Sequence, residues 1–188
     1  MTYNIKGFGP DDLLTGTKEG FRRLRVDQAQ TGFFEGREFR TFAEFDIPSG
    51  QSLVLRFTSL VDFILFAQNL SVDQGAIRLS AITGGTSGGT WATLPAIGKN
   101  RMSSRRQYAG GYYQSQATIE SGGTVTGGTV VEVVRVVAAN STAQQSTVGG
   151  SVADERGLPA GTYHLRLENI SNGAAKGVYS LFWEERPA

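Results

Sequence analysis

Clusters of glycine divide this chain into short segments and so restrict the folds that it can adopt. Glycine supplies 25 of the 188 residues, whereas average usage is about 7%. The clusters stand between runs rich in Val, Thr, Phe and Tyr, which are residues that favour strands. Such punctuation is typical of many-stranded β proteins. The main clusters cover residues 84–89, 109–111, 121–123, 126–128 and 149–150.

Several runs between these clusters alternate apolar and polar residues with the period of two of a half-buried strand. Residues 129–139, TVVEVVRVVAA, give the strongest strand prediction, although Glu132 and Arg135 would lie on opposite faces of a regular strand. We therefore expect a bulge in this strand or a partner on one of its faces. Strands are predicted over residues 39–47, 52–58, 62–70, 76–82, 112–120, 129–139, 162–170 and 177–184, with a short edge element over 91–97.

Two turns share a pattern that predicts similar hairpin starts. IPSG at 47–50 and LPAG at 158–161 each precede an alternating run, and proline and glycine at these positions favour a tight reversal. Residues 140–157, rich in Ser, Thr, Gln and Gly, are expected to form an exposed connection. The sequence predicts an all-β domain over residues 37–188, a β-sandwich. A jelly roll is favoured, and an immunoglobulin-like sandwich stays open.

Residues 1–36 differ from the rest, since they mix charges with scattered large apolar residues. A short helix could start near Asp11 or Thr17, but Gly16 and Gly20 interrupt it. We expect an extended N-terminal arm that lies on a partner, with packing on its own domain as the alternative. The arm residues predicted to contact a partner are Phe8, Leu13, Leu14, Phe21 and Leu24.

The composition lacks the residues that most common catalytic sites require. The chain has no cysteine and a single histidine, His164, whereas zinc sites of the usual kind need several such ligands. Alternation predicts that His164 lies on an exposed strand face, and no nucleophile motif accompanies it. Glu184 and Glu185 are adjacent and should point to opposite faces, which argues against a glycosidase pair. We expect no enzymatic activity, no metal and no cofactor.

The charge balance and the apolar runs bear on partners. The net charge of +1 provides no overall field for nucleic acid, so nucleic acid is an unlikely partner. No run approaches the roughly 20 apolar residues of a membrane span, and residues 1–16 lack the apolar core of a signal peptide. We expect a soluble protein that does not bind membranes.

One polar cluster combines basic and aromatic residues in a region predicted to be a long loop. Such a mixture suits a protein interface, which we favour, but also a solvated loop or a site for glycan or nucleic acid. The cluster consists of Lys99, Arg101, Arg105, Arg106, Tyr108, Tyr112 and Tyr113, of which Arg105, Arg106 and the three tyrosines are predicted to contact a partner.

Three strings resemble virion structural proteins of tailed bacteriophages: TGFFEGREFRTFAEF at 31–45, ERGLPAGTYHLRLENISN at 155–172 and VYSLFWEERP at 178–187. The resemblance extends from about Gly7 to the C-terminus and includes NSTAQQSTVGG at 140–150. It implies no active-site residues.

What the resemblance implies is a particle component, most plausibly a head decoration protein that binds capsid or neck proteins of the same virion. A tail or fibre module that binds host-surface glycan is the alternative. The location implied is the virion, assembled in the cytoplasm of the host bacterium. Exposed sheet edges favour a symmetric homo-oligomer, for which a trimer is our expectation.

Overall fold

The computed structural model describes residues 29–104, 106–138, 144–149 and 156–187. Two antiparallel sheets, packed face to face, form most of this part of the protein. The elements, numbered along the chain, are α1 (Ala29–Glu35), β1 (Glu38–Ile47), β2 (Ser52–Ser59), β3 (Asp62–Gln74), β4 (Ala76–Thr83), β5 (Thr86–Gly88), β6 (Ala92–Leu94), β7 (Ile97–Gly98), β8 (Gln107–Tyr108), β9 (Gly111–Tyr112), β10 (Ala117–Ser121), β11 (Thr124–Thr126), β12 (Thr129–Val137), β13 (Gln144–Gly149), β14 (Arg156–Leu158), β15 (Gly161–Asn169) and β16 (Ala175–Arg186).

The order of strands in the two sheets defines the topology. The first sheet runs β13-β3-β16-β1-β7, with β14 also paired to β3, and the second runs β12-β4-β15-β2-β10-β6. Long strands β1 to β4 alternate between the sheets, as do β13, β15 and β16 at the other end of the chain. This is the order of a jelly roll, in which two Greek keys form a double sheet. The all-β, jelly-roll-like sandwich is therefore confirmed, whereas an immunoglobulin-like order would pair consecutive strands within one sheet.

Alternating side chains build the core between the sheets. In β1 the burial pattern alternates from Phe39 to Ile47, as the sequence predicts. Aromatic rings join the two layers: the Phe57 ring of β2 lies 5.3 Å from the Trp183 ring of β16 and 4.8 Å from the Phe63 ring of β3. Buried aromatic pairs contribute about 0.5–1.5 kcal/mol beyond their apolar area, so these contacts hold the sheets together.

Most of the predicted strands are present, and so is the predicted bulge in β12. The pairing of β12 with β4 shifts register between Val130 and Glu132, which marks a bulge. The two similar turns at 47–50 and 158–161 lead into β2 and β15, which are neighbours in the second sheet.

The prediction that residues 140–157 form only an exposed connection is wrong. β13 pairs with β3 along residues 144–149, and β14 continues along the same edge at 156–158. An edge strand is held by backbone hydrogen bonds on one side, so it does not require the apolar alternation that we used to predict strands.

A small hairpin-like layer covers part of the outer face of the second sheet. β5 pairs with β11, and Val125 of β11 packs on Val54 and Ile82 from the sheet beneath. The Arg166 Nη2 atom donates to the Val125 carbonyl over 2.9 Å. We call this pair of strands, residues 86–88 and 124–126, the lid.

The end of the segment predicted as an arm packs on the sandwich itself. Gly32 in α1 is buried beside Glu184, and the Asn100 amide donates to the Phe33 carbonyl over 2.8 Å. The five arm residues Phe8, Leu13, Leu14, Phe21 and Leu24 lie outside the described residues. Their contact with a partner stays a prediction.

Candidate functional site

Three members of the predicted basic and aromatic cluster, Arg106, Tyr108 and Tyr113, lie together around the short hairpin β8–β9, whereas Lys99 pairs with Glu38 of β1. The Arg106 guanidinium lies 5.0 Å from the centre of the Tyr108 ring, and the Tyr108 and Tyr113 rings are 6.0 Å apart. Arg106 also pairs with Glu35 of α1. Tyr112 donates its hydroxyl to the Ser103 carbonyl, while Arg105 lies outside the described residues.

Tyr113 points inward, unlike the exposed side of this cluster. Its hydroxyl donates to Glu185 over 3.0 Å. Burial, and then the charge of Glu185, raise the pKa of the Tyr113 hydroxyl well above its usual value. A hydroxyl that stays protonated and bonded to an internal carboxylate holds the loop against the core. Of the other described residues of the cluster, Arg106 is exposed, whereas Tyr108 and Tyr112 are half-buried.

Glu185 is a buried polar centre that the sequence did not reveal. It is fully buried, and its carboxylate accepts hydrogen bonds from Ser115 Oγ at 2.6 Å and from the Gln116 backbone N–H at 2.8 Å. The indole N–H of Trp183 donates to the same carboxylate over 3.2 Å. Several donors around one carboxylate compensate the cost of burying its charge.

The neighbouring carboxylate, Glu184, faces the other way. It lies 3.3 Å from Nη1 of Arg37 and 3.1 Å from Nε of Arg186. The two glutamates therefore occupy different environments on opposite faces of β16, as predicted. Because the carboxylates of a glycosidase must flank one bond, this geometry does not suit that chemistry.

The prediction that His164 is exposed is wrong, since only 1% of its surface is accessible. His164 does lie on the outer face of β15, but the lid covers it. Its Nε2 atom and Ser87 Oγ are 2.7 Å apart. Burial, and then the neighbouring charge of Arg56, lower the pKa of His164, so the imidazole is kept neutral.

The pair of Ser87 and a neutral His164 is similar to the nucleophile and the general base of a serine hydrolase. In such a pair the histidine becomes charged during the reaction, and a carboxylate on Nδ1 stabilises it. Here the Nδ1 atom of His164 has no hydrogen-bond partner among the described residues, and Arg56 opposes a positive charge. The geometry favours a structural tie between lid and sheet over an activated serine.

A cavity of about 440 Å³ opens between the two sheets on the side where β12 and β14 lie. Its walls are mainly apolar, with Phe63, Ala81 and Leu181 among them. At its mouth the Arg156 guanidinium makes two hydrogen bonds to Glu132, at 2.6 and 2.9 Å. No pattern in the sequence predicts this cavity, because it depends on how two edge strands separate.

The edge formed by β12 is the longest strand edge that the structure describes without a partner. β12 spans nine residues, whereas β6, at the other end of the second sheet, spans three. Arg135 is the one charged residue of β12 that is exposed, since Glu132 is half-buried. The exposed apolar residues of β12 are Val130, Val131, Val133 and Val137.

Within the described ranges no group of three or more acidic, histidine or cysteine side chains is placed to hold a metal ion. No helix in this part of the chain is long and apolar enough to cross a membrane. No family model, curated protein or solved structure matches the chain.

Proposed function

We propose that this chain is a structural protein of a tailed-phage virion that decorates the head and stabilises the particle through contacts between subunits. The single observation that carries the proposal is the β12 edge. An open strand edge presents unpaired backbone N–H and C=O groups and is a template for pairing with another chain. Natural edges are usually short, charged or covered. β12 spans nine residues and exposes four valines beside a single charged side chain, Arg135.

The exposed valines of β12 add an apolar surface to this edge. Val133 is 46% exposed and Val137 is 59% exposed, and both lie on the outer face of the sheet beside Arg135. A second β12, paired antiparallel about Val134, would place each Arg135 beside a Val133 and keep the two arginines apart. Like charges directly opposite one another destabilise a strand pair, so this register is favoured for a two-fold contact. Such a contact forms a dimer, and the trimer expected from the sequence would need a heterologous contact.

The fold is compatible with the proposal, though by analogy alone. Jelly rolls occur in viral capsid proteins and in lectins, and a fold by itself does not define a function. Of these two uses, the sequence resemblance to virion proteins supports the one in a viral particle. In the proposed assembly, the arm residues predicted from the sequence, Phe8, Leu13, Leu14, Phe21 and Leu24, contact a neighbouring capsid subunit.

Self-association of the purified full chain tests the edge directly. We expect light scattering after size exclusion to show a homo-oligomer, and Val133→Lys to weaken it by at least about tenfold, since a lysine is one of the charges that protect natural edges. Thr118→Lys is the matched control, because Thr118 is exposed on β10, which is paired on both sides. A monomer at all concentrations, or equal effects of both lysines, would contradict the role of the edge.

A second candidate function, a tail or fibre module that binds host-surface glycan, is favoured by one polar groove. The groove has a volume of about 410 Å³ and lies beside the lid, where Gln51, Arg166 and Glu168 line it. Side chains of this kind hydrogen-bond sugar hydroxyls. Binding of the full chain to host lipopolysaccharide, lost in Arg166→Ala, would support this function over head decoration.

A further inference from the structure

The cavity between the sheets differs from an ordinary packing defect in size and in lining. Interiors of proteins are packed as densely as organic crystals, with few voids larger than a water molecule. Here Phe57, Phe63, Tyr163 and Leu181 surround a space of about 440 Å³. An engineered apolar cavity of about 150 Å³ is large enough for benzene, so a space of about 440 Å³ is large enough for a bigger molecule.

The lining decides which chemistry the cavity accepts. Apolar walls give water few hydrogen-bond partners, and apolar cavities of proteins stay dry or take apolar molecules. A peptide segment in the same place would bury backbone N–H and C=O groups that also need partners. A hydrocarbon body carries no such groups, so it would leave no buried polar group without a partner.

The mouth sets the charge of the ligand. Glu132 and Arg156 neutralise each other there, and the Gln68 amide donates to Glu132 over 3.1 Å while its oxygen accepts from the Tyr179 hydroxyl. A carboxylate or phosphate on the ligand would have to compete with Glu132 for Arg156. A positively charged group would have to compete with Arg156. An uncharged molecule leaves this network intact.

We propose that the cavity between the two sheets, which opens beside β12 and β14, is a binding site for an uncharged apolar small molecule. This molecule has an aliphatic or aromatic body and at most one hydroxyl or carbonyl group, which lies at the mouth. Its size is within the usual range of ligand sites, about 300–1,000 Å³. The ligand enters from the side of the sandwich, between the edges of the two sheets. Binding of such a ligand does not depend on the proposed role in the virion.

Ala81 offers a direct test, because it lies on the cavity wall and a larger side chain there would fill the space. The full chain is titrated into Nile red, a neutral dye whose fluorescence rises in apolar surroundings. We expect saturable binding of one dye per chain. Ala81→Leu should weaken binding at least tenfold without lowering the melting temperature, and Ala81→Ser, which hardly changes the volume, should bind as the original chain does.

The charge of the ligand is tested by competition. Dodecanol should displace the dye, and dodecanoate should do so at least tenfold less well. If Ala81→Leu does not fold, Thr83→Leu, which fills the cavity from the next inward position of β4, replaces it. Absence of saturable binding by the full chain, binding that these variants leave unchanged, or preference for dodecanoate would each overturn the proposal.

Discussion

Glu185 is fully buried yet accepts hydrogen bonds from Ser115, Tyr113 and the Gln116 backbone. It joins the last strand of the first sheet to the loop that precedes β10. A carboxylate with this many donors ties together residues far apart in the chain. Removing it would leave the half-buried donors of Tyr113 and Gln116, and the buried Trp183 indole N–H, without this acceptor, which is more costly than losing the bonds alone.

We therefore predict that Glu185→Ala lowers the free energy of unfolding by at least about 3 kcal/mol, since hydrogen bonds to charged groups contribute about 1.5–3 kcal/mol each. Urea unfolding followed by tryptophan fluorescence measures this. Glu168→Ala is the matched control on β15. Its side chain is 45% exposed and lies 3.9 Å from Arg78, so the change should stay within about 0.5 kcal/mol. Equal losses in both variants would contradict the role of Glu185.

His164 leads to a prediction about pH. Its pKa in the folded state is lowered by burial and by Arg56, so the unfolded chain binds a proton that the folded chain does not. Stability is then complete above about pH 6.5, the usual pKa of histidine, and is lost as the pH falls through the lowered pKa. The slope contributed by one group is at most about 1.4 kcal/mol per pH unit.

Melting temperatures between pH 8 and pH 4.5 test this, with His164→Gln as the comparison. We expect the original chain to lose more stability than the variant as the pH falls below 6.5. Asp and Glu residues titrate in both proteins, so their contribution cancels in the difference between the two curves. Parallel curves would show that His164 does not bear this pH dependence.

The burial of His164 could not be predicted from the local sequence around it. Alternation along 162–170 correctly gave the face on which this histidine lies. Whether that face is exposed depends on the lid, residues 86–88 and 124–126, which come from distant parts of the chain. Local periodicity contains no information about such a cover, so the burial of His164 and its bond to Ser87 could not be predicted.

At the scale of elements, strands with one buried face could be predicted from the sequence. Edge strands that are positioned mainly by backbone hydrogen bonds could not. β1, β2, β4, β15 and β16 follow their alternating patterns closely. β13 does not, because its sequence, QQSTVG, has little bulk and it is positioned by its pairing with β3. The predicted bulge in β12 is present, between Val130 and Glu132. Beyond it the strand is regular, with Glu132 facing the cavity and Arg135 exposed on the opposite face.

Close packing within the first sheet gives a prediction for β16. A Cβ atom at Gly177 would overlap the Ser71 carbonyl oxygen and lie 2.7 Å from Cζ of Phe45. We expect Gly177→Ala to destabilise the protein by about 1–3 kcal/mol, as overpacking of a core does. Gly157→Ala, in edge strand β14, is the control because no atom lies within 4 Å of its added Cβ.

Thermal unfolding of the two alanine variants measures this difference. The Gly157 variant should match or slightly exceed the original stability, because alanine reduces the freedom of the unfolded chain. If the Gly177 variant were equally stable, the close approach of β16 to β3 and β1 would be incorrect.

At the scale of the whole molecule, the class of fold followed from the glycine punctuation and the alternating runs, but the strand order did not. Jelly rolls and immunoglobulin-like sandwiches use the same short alternating strands. The order depends on which strands cross between sheets, for example β1 to β2 over residues 48–51. The cavity and the β12 edge follow from that order, which is why the sequence did not predict either of them as a site.

We propose that this jelly roll is a subunit that binds other subunits on a phage head, with the β12 edge as one contact. Co-sedimentation of the purified full chain with empty phage heads, with the bound copies counted, tests it most directly. We predict saturable binding at many copies per head and a loss of at least about tenfold in affinity for Val133→Lys, but not for Thr118→Lys. Absence of binding to heads, or saturation at only a few copies, would contradict head decoration.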